Sequence, residues 1–296
     1  MTCSTSDERP SRLVVEREVE PVVTGSKKLQ LADIITFNSS GRPQLESVLD
    51  MYGNNPEWKR LRADGHFGCD VSPTEPVPVA VVLAQEHHAQ KRGFQDLQYA
   101  AKKCGWQLQG AAAVASASGI GSSAGVCIAT NAQFMMGKAA GMNFDLSPRG
   151  SEGRLSVAWV DGVLRGGVMV LSVYLWHTEG LTDRNMDLLN AVGEAVARFG
   201  GPWVLGGDMN LTPEDLACAP DWLRRIGGVI QSPGEITCKS ASGGRTIDFF
   251  VVDGRVSSAS VACWVDYDFP GSPHYVVRLR LRCDATRDLA RLLKKA

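Results

Sequence analysis

Eight polar residues fall at or near the ends of apolar runs, and their types suit one kind of chemistry. Asn38 closes LADIITFN, and Glu86 follows PVAVVLAQ. Tyr174 and His177 close the GVMVLSV run, and Asp208 and Asn210 follow PWVLGG. Asp248 sits within RTIDFFVV, and His274 opens HYVVRLRLRC. Side chains at strand ends can converge on one rim of a sheet. Each residue alone has an ordinary explanation: an asparagine after a strand forms a turn, and a glutamate in an apolar context sits at an edge. Together, carboxylates, amides and a histidine suit a hard divalent cation and an anionic substrate. Mg2+ takes oxygen ligands, keeps several waters, and is held by one or two carboxylates plus substrate phosphate.

The elements that must position these residues are legible in outline. LADIITFN reads as a strand, QLESVLDMYG as a helix with apolar spacing at Leu45, Val48 and Leu49, and PVAVVLAQ as a strand buried on both faces. Residues 89–104 read as a helix stopped by Gly105. AGVCIATN, GRLSVAWVD and GGVMVLSVYLWH read as three successive strands. A helix follows, N-capped by Thr182, carrying Met186, Leu189, Val192, Val196 and Phe199 on one face and ending at Gly200. PWVLGGDMN is a strand running into a polar turn, and RTIDFFVVDG, SVACWVDYD and HYVVRLRLRC are the last strands. In the final one, Val277, Leu279 and Leu281 alternate with Arg278, Arg280 and Arg282, which predicts an antiparallel strand with one wet face. Mixed sheets packed face to face under helices fit this order.

Composition narrows the classes. The chain has 296 residues, 44% hydrophobic and 21% charged, too apolar for disorder and long enough for a sizeable core. Its net charge of −1 argues against a surface that is basic all round, but not against a local basic patch. Eight scattered cysteines, without a CxxC pair, point to neither zinc nor a disulfide framework. No run reaches the roughly 20 apolar residues of a membrane helix, and the N-terminus lacks the apolar core of a secretory signal, so a cytosolic or nuclear location is expected. Residues 1–28 read as a poorly ordered leader with a short strand at Leu13–Val15, residues 54–78 as loop, and 284–296 as a basic amphipathic helix or tail.

AQEHH, the SVYLW strand end, GGDMN, TIDFFVV and SPHYVV occur in the order and rough spacing of the endonuclease/exonuclease/phosphatase superfamily. The chain resembles that superfamily over residues 30–283. The resemblance implies a deoxyribonuclease I-like fold, a four-layer α/β/β/α sandwich of two mixed sheets flanked by helices, forming one domain at 29–283. Within it, the Gln-Glu-His-His run and short loops resemble the endonuclease domains of non-LTR retroelements. The resemblance implies Mg2+ (or Mn2+) held at Glu86 with Asn38 beside it, and Asp208 orienting or deprotonating the attacking water. It implies Asn210 on the phosphate, Asp248 paired with His274, His274 facing the scissile phosphate, and Tyr174 contacting that phosphate. Such a site hydrolyses phosphodiesters by in-line attack of water, with DNA the first substrate to expect and a small phosphate ester or a catalytically silent binding module as alternatives.

One position departs from the family. The usual Ser-Asp-His is Ser272-Pro273-His274, and proline supplies neither a ligand nor an N–H. Asp266 and Asp268, just upstream, are candidates for a substitute carboxylate. Further residues lie near the motifs. Arg245 could reach a phosphate, Trp176 could stack on a base, and Arg278, Arg280 and Arg282 could track a nucleic-acid backbone or simply face water. His87, His88 and His177 read first as loop-end histidines.

Overall fold

The run Val79–Gln85 is buried along its whole length, because helices cover one face of its sheet and a second sheet covers the other. The computed structural model describes residues 31–54, 77–116, 120–137, 153–164, 166–240, 243–269 and 271–283. The leader, the 55–76 part of the expected loop and the C-terminal tail lie outside the described residues. Along the chain come β1 (Leu31–Asn38), α1 (Arg42–Asn54), β2 (Val79–Gln85), α2 (Lys91–Lys103) and β3 (Trp106–Ala111). Then come the short β4 (Val114–Ala115) and β5 (Ser122–Ser123), β6 (Val126–Asn131), β7 (Met136–Gly137), β8 (Leu155–Val160), β9 (Val168–Tyr174) and α3 (Asp183–Phe199). The last part holds β10 (Trp203–Asp208), α4 (Pro213–Ala217), α5 (Pro220–Ile226), β11 (Gly228–Gln231), β12 (Cys238–Ser240), β13 (Gly243–Arg245), β14 (Asp248–Asp253), α6 (Gly254–Ser257), β15 (Ser260–Asp266) and β16 (Val276–Arg282).

Two six-stranded mixed sheets result, ordered β15-β16-β1-β2-β6-β3 and β11-β14-β10-β9-β8-β7. Ile34, Val81, Leu83 and Ile128 from the first pack against Val170, Val204, Phe250 and Val252 from the second. On the outer face of the first sheet, α1 and α2 bury Leu45, Leu49, Phe94 and Leu97. On the outer face of the second, α3 and α5 bury Leu188, Leu189, Val192 and Trp222. The four-layer α/β/β/α sandwich expected from the sequence is the architecture observed. The α3 helix stops as its sequence implies: Gly200 takes φ +67° and its N–H closes on the Val196 carbonyl. Among the described residues, no helix is long and apolar enough to cross a membrane.

The arginines of β16 correct the wet-face expectation. Arg280 is 4% exposed and Arg278 is half-buried. The reason is Asp33 on the neighbouring β1, fully buried and paired in register with Arg280. Its carboxylate accepts from Arg280 Nε at 2.9 Å and from Arg278 Nη1 at 3.0 Å. Arg278 Nε also donates to Asp266 at 2.6 Å, and Asp266 accepts from the Tyr52 hydroxyl at 2.7 Å. The Trp264 ring lies 5.0 Å from the Arg280 guanidinium. Burial pushes the Asp33 carboxyl up, against the pull of both arginines. Two of the three arginines are therefore committed to the fold and not to a ligand, and Asp266 is committed with them. Removing one partner of such a cluster leaves buried charge unpaired, at about 3–5 kcal/mol. Asp33→Ala is accordingly expected to lower the unfolding free energy from urea titration by that amount. A change within about 0.5 kcal/mol would contradict the buried pairing.

Candidate active site

The registers of the two sheets build the site. In the first sheet, β1 and β2 run parallel with Asn38 opposite Gln85, so Asn38 and Glu86 emerge side by side. In the second, β9 and β10 run parallel with Tyr174 opposite Asp208. β14 runs antiparallel to β10 and sets Asp248 opposite Asp208. Tyr174, Asp208 and Asp248 thus form one row across three strands. The sheets approach closely here. A Cβ on Gly206 would lie 2.7 Å from the Leu83 side chain across the interface, and one on Gly207 would lie 2.1 Å from the Val173 carbonyl oxygen. The consecutive glycines before Asp208 are what this spacing requires.

Asn38 links the two rows. Its Nδ2 donates to Glu86 Oε2 at 2.8 Å and to Asp208 Oδ2 at 2.9 Å, while its Oδ1 accepts from the Ser40 N–H at 2.9 Å. Glu86 accepts a second hydrogen bond at Oε1 from the Tyr174 hydroxyl at 2.7 Å. Asp208 Oδ1 accepts from the Asn210 backbone N–H at 3.0 Å. Asn210 Nδ2 donates to the Leu175 carbonyl at 2.9 Å, and its Oδ1 lies 2.9 Å from His177 Nδ1. Glu86 at φ +55° and Asn210 at φ +49° are left-handed without being glycine. Such backbone costs about 1–3 kcal/mol and clusters where geometry is functional.

On the other side of Asp208 stands His274. Its Nδ1 lies 2.9 Å from Asp248 Oδ2, and its Nε2 lies 3.9 Å from Asp208 Oδ2. Burial alone would drive the ring neutral. The charge and hydrogen bond of Asp248, with the contact to Cys238 and the charge of Asp208, outweigh burial and hold the imidazole cationic well above the usual histidine range. Burial and the nearby Asp248 charge push the Asp208 carboxyl up, against the pull of His274 and the Asn38 and Asn210 hydrogen bonds. Burial first, then the Glu86 charge, pushes the Tyr174 hydroxyl up, so it remains a donor. Ligand atoms of Asp208, Asp248 and His274 lie within 4.8 Å of one another, a grouping with the spacing of a metal site.

The model of the endonuclease/exonuclease/phosphatase family matches residues 35–274, most of the chain. The chain belongs to this family. Among similar solved structures is the endonuclease domain of TRAS1, a telomere-specific non-LTR retrotransposon, with a TM-score of 0.55 at 14% identity, covering 86% of this chain and 99% of that one. Another is AP endonuclease LMAP from Leishmania major, TM-score 0.56 at 14% identity, covering 86% and 88%. A third is the 3'-5' exonuclease NExo from Neisseria meningitidis, TM-score 0.52 at 18% identity, covering 84% and 99%. No curated protein matches the chain significantly by sequence.

Of the residues singled out from the family's motifs, Asn38, Glu86, Tyr174, Asp208, Asn210, Asp248 and His274 come together, and His177 joins them through Asn210. Arg245 does not. It is exposed on β13, with Nη2 3.7 Å from Asp215. Trp176 is 9% exposed, with the guanidinium groups of Arg154 and Arg184 4.5 and 4.2 Å from its ring, so that ring is covered. His88 Nε2 lies 3.9 Å from Glu86 Oε1. His87 is a buried core histidine stacked on Phe94, and burial lowers its pKa to about 4. Sequence reasoning missed three neighbours. Arg154 donates to the Tyr174 carbonyl at 3.1 Å and lies 4.4 Å over the Tyr174 ring. Cys238 Sγ lies 3.5 Å from His274 Nε2. Thr237, fully buried, accepts at Oγ1 from the N–H groups of Ile247 and Asp248 at 3.0 and 2.9 Å. Thr237→Val keeps the shape and strands two buried donors, so a loss of about 1–3 kcal/mol in urea unfolding is expected. An unchanged midpoint would show that Thr237 does not hold the Asp248 backbone.

Proposed function

We propose that the chain is a divalent-metal-dependent phosphodiesterase, with DNA as its substrate and endonucleolytic hydrolysis as its reaction, in a domain spanning residues 29–283. The observation that carries this reading is the convergence on Asp208. Its Oδ2 is held by Asn38 from the opposite sheet and faces the Nε2 of an Asp248-oriented histidine, and its Oδ1 is held by the Asn210 N–H. Nuclease activities in the names of structurally similar proteins agree with the reading.

Glu86 fits a Mg2+ ion. Its two oxygens accept only from neutral donors, Tyr174 and Asn38, in the contacts that orient it. Its side chain is 24% exposed, so the carboxylate keeps access to the rim. Asn38 would orient that carboxylate, since its own amide oxygen accepts from Ser40. The Asp208–Asp248–His274 group fits less well, because His274 already supplies the cation between the two carboxylates. Pro273 offers no ligand, so one carboxylate plus substrate phosphate would hold the ion. Mn2+ suits the same oxygen donors. When bound, the metal supplies a Lewis acid at a phosphoryl oxygen.

The chain's own residues divide the remaining work. Asp208 Oδ2 accepts the proton of the attacking water, a task suited to a carboxyl whose proton affinity is raised toward neutrality. His274 Nε2–H donates to a phosphate oxygen, with Asp248 fixing the ring through Nδ1. The Tyr174 hydroxyl stays protonated as a donor, and Asn210 fixes the rotamer of Asp208. Beside His274, Tyr267 is 57% exposed and packs edge-on to Tyr275, which carries Lys239 5.1 Å from its ring. An aromatic pair with one ring exposed and a lysine over the other, next to His274 in the chain, suits a base and a backbone phosphate better than a small ester. The expected outcome is Mg2+- or Mn2+-dependent cleavage in a panel of plasmid, abasic duplex and single-stranded DNA. It should be lost in chelator and reduced about 10²–10⁴-fold in Asp208→Asn. Absence of metal-dependent cleavage in both the wild type and Pro273→Asp would overturn the reading.

A further inference from the structure

The phosphodiesterase chemistry leaves one nucleophile at the site unused. Cys238 lies at the start of β12, held against His274 by an isolated β-bridge between the two residues. The bridge is fixed on both sides. The Lys239 N–H donates to the Pro273 carbonyl at 2.9 Å, and the Tyr275 N–H donates to the Thr237 carbonyl at 2.8 Å. The Sγ atom sits 3.5 Å from His274 Nε2, and His274 Nδ1 sits 2.9 Å from Asp248 Oδ2. Thiol, imidazolium and carboxylate are therefore lined up as nucleophile, cationic partner and orienter. Cys238 is partly exposed, so a small reagent can reach it.

The geometry points to Cys238 as an activated thiol and a modification site for disulfides and soft electrophiles, whose adduct closes the phosphodiesterase site. This inference rests on the proposed function for its second half alone. Asp248 holds one ring nitrogen, so the other presents its N–H to Sγ, an arrangement that favours the thiolate as S⁻···H–N⁺. The charged groups facing the pair are Asp248 and Asp208 on the ring, while the exposed Lys239, next in the chain, lies over the Tyr275 ring. A thiolate beside an imidazolium is the reactive form of cysteine. With glutathione disulfide, Sγ attacks one sulfur, the Cys238–glutathione S–S bond forms, and the reagent's S–S bond breaks. The departing glutathione thiolate takes the proton from His274 Nε2. An adduct on Sγ stands 3.5 Å from the nitrogen that would donate to the phosphate, so substrate and adduct compete for one space.

Cys218 provides an internal reference, because it is exposed and its Sγ contacts a backbone carbonyl, that of Glu214. Site-resolved mass spectrometry of the intact chain treated with iodoacetamide near neutral pH should give alkylation of Cys238 at least about 10-fold faster than Cys218, despite its lower exposure. His274→Gln should remove the difference. Equal or slower labelling of Cys238 in the wild type would overturn the activated thiol, and that comparison stands whether or not the chain cleaves DNA. With glutathione disulfide, cleavage should fall in proportion to the Cys238 adduct and return with dithiothreitol, and Cys238→Ser should lose this sensitivity. Cleavage that persists with Cys238 fully modified would overturn the closure of the site.

Discussion

One side-chain amide joins the two sheets at the point where their chemistry meets. Asn38 commits its NH2 group to Glu86, at the end of β2, and to Asp208, at the end of β10. Two carboxylates that share one donor repel each other. A shared neutral donor lowers that cost and fixes both orientations without adding charge. Much else in the fold serves this contact. The parallel register of β1 and β2 brings Asn38 beside Glu86, and the parallel register of β9 and β10 brings Tyr174 beside Asp208. Gly206 and Gly207 remove the side chains that would hold the sheets and strands apart. Beneath the contact, Gln85 Nε2 donates to Ser172 Oγ at 3.0 Å and spans the same interface.

Charge is distributed accordingly. At the site, two carboxylates face one histidine, and the burial that raises Asp208 is opposed by the same ring that Asp248 holds cationic. At the other end of β1 the charges balance: Arg278 and Arg280 pair with Asp33 and Asp266. The chain's near-neutral net charge therefore conceals two buried ionic clusters, one structural and one with the make-up of an active site. It says little about the surface that a substrate meets.

The sequence was readable where burial is uniform. β1, β2, β9, β10 and β14 are largely apolar runs because each is covered on both faces, and the polar residue at the site end of each run stands out. β3, WQLQGA, and β11, GVIQ, lacked that contrast and were not legible, since edge strands of mixed polarity resemble loop. β16 misled for a different reason. Alternation implies a wet face only if nothing pairs with the polar set, and the pairing residue, Asp33, lies 247 positions away from Arg280. Thr237 and Cys238 were invisible because their roles arise from a two-residue bridge to His274, which leaves no periodic trace. The site residues themselves were legible from the family's motifs. Their hydrogen-bond order was not, because it depends on how two sheets register across a shared face.

The account's central claim is that Glu86, oriented by Asn38 and Tyr174, is where a metal enters the site. Thermal unfolding with and without Mg2+ tests it most directly, because it needs no knowledge of the substrate. A ligand that binds only the folded chain stabilises it by RT ln(1 + [L]/Kd). At about 10 mM Mg2+ and a Kd near 1 mM, that is about 1.4 kcal/mol, or a rise of about 2–5 °C in Tm. The account predicts this rise in the wild type and its loss in Glu86→Gln, which keeps the size of the side chain and removes its charge. An equal rise in both proteins, or none in the wild type, would contradict it.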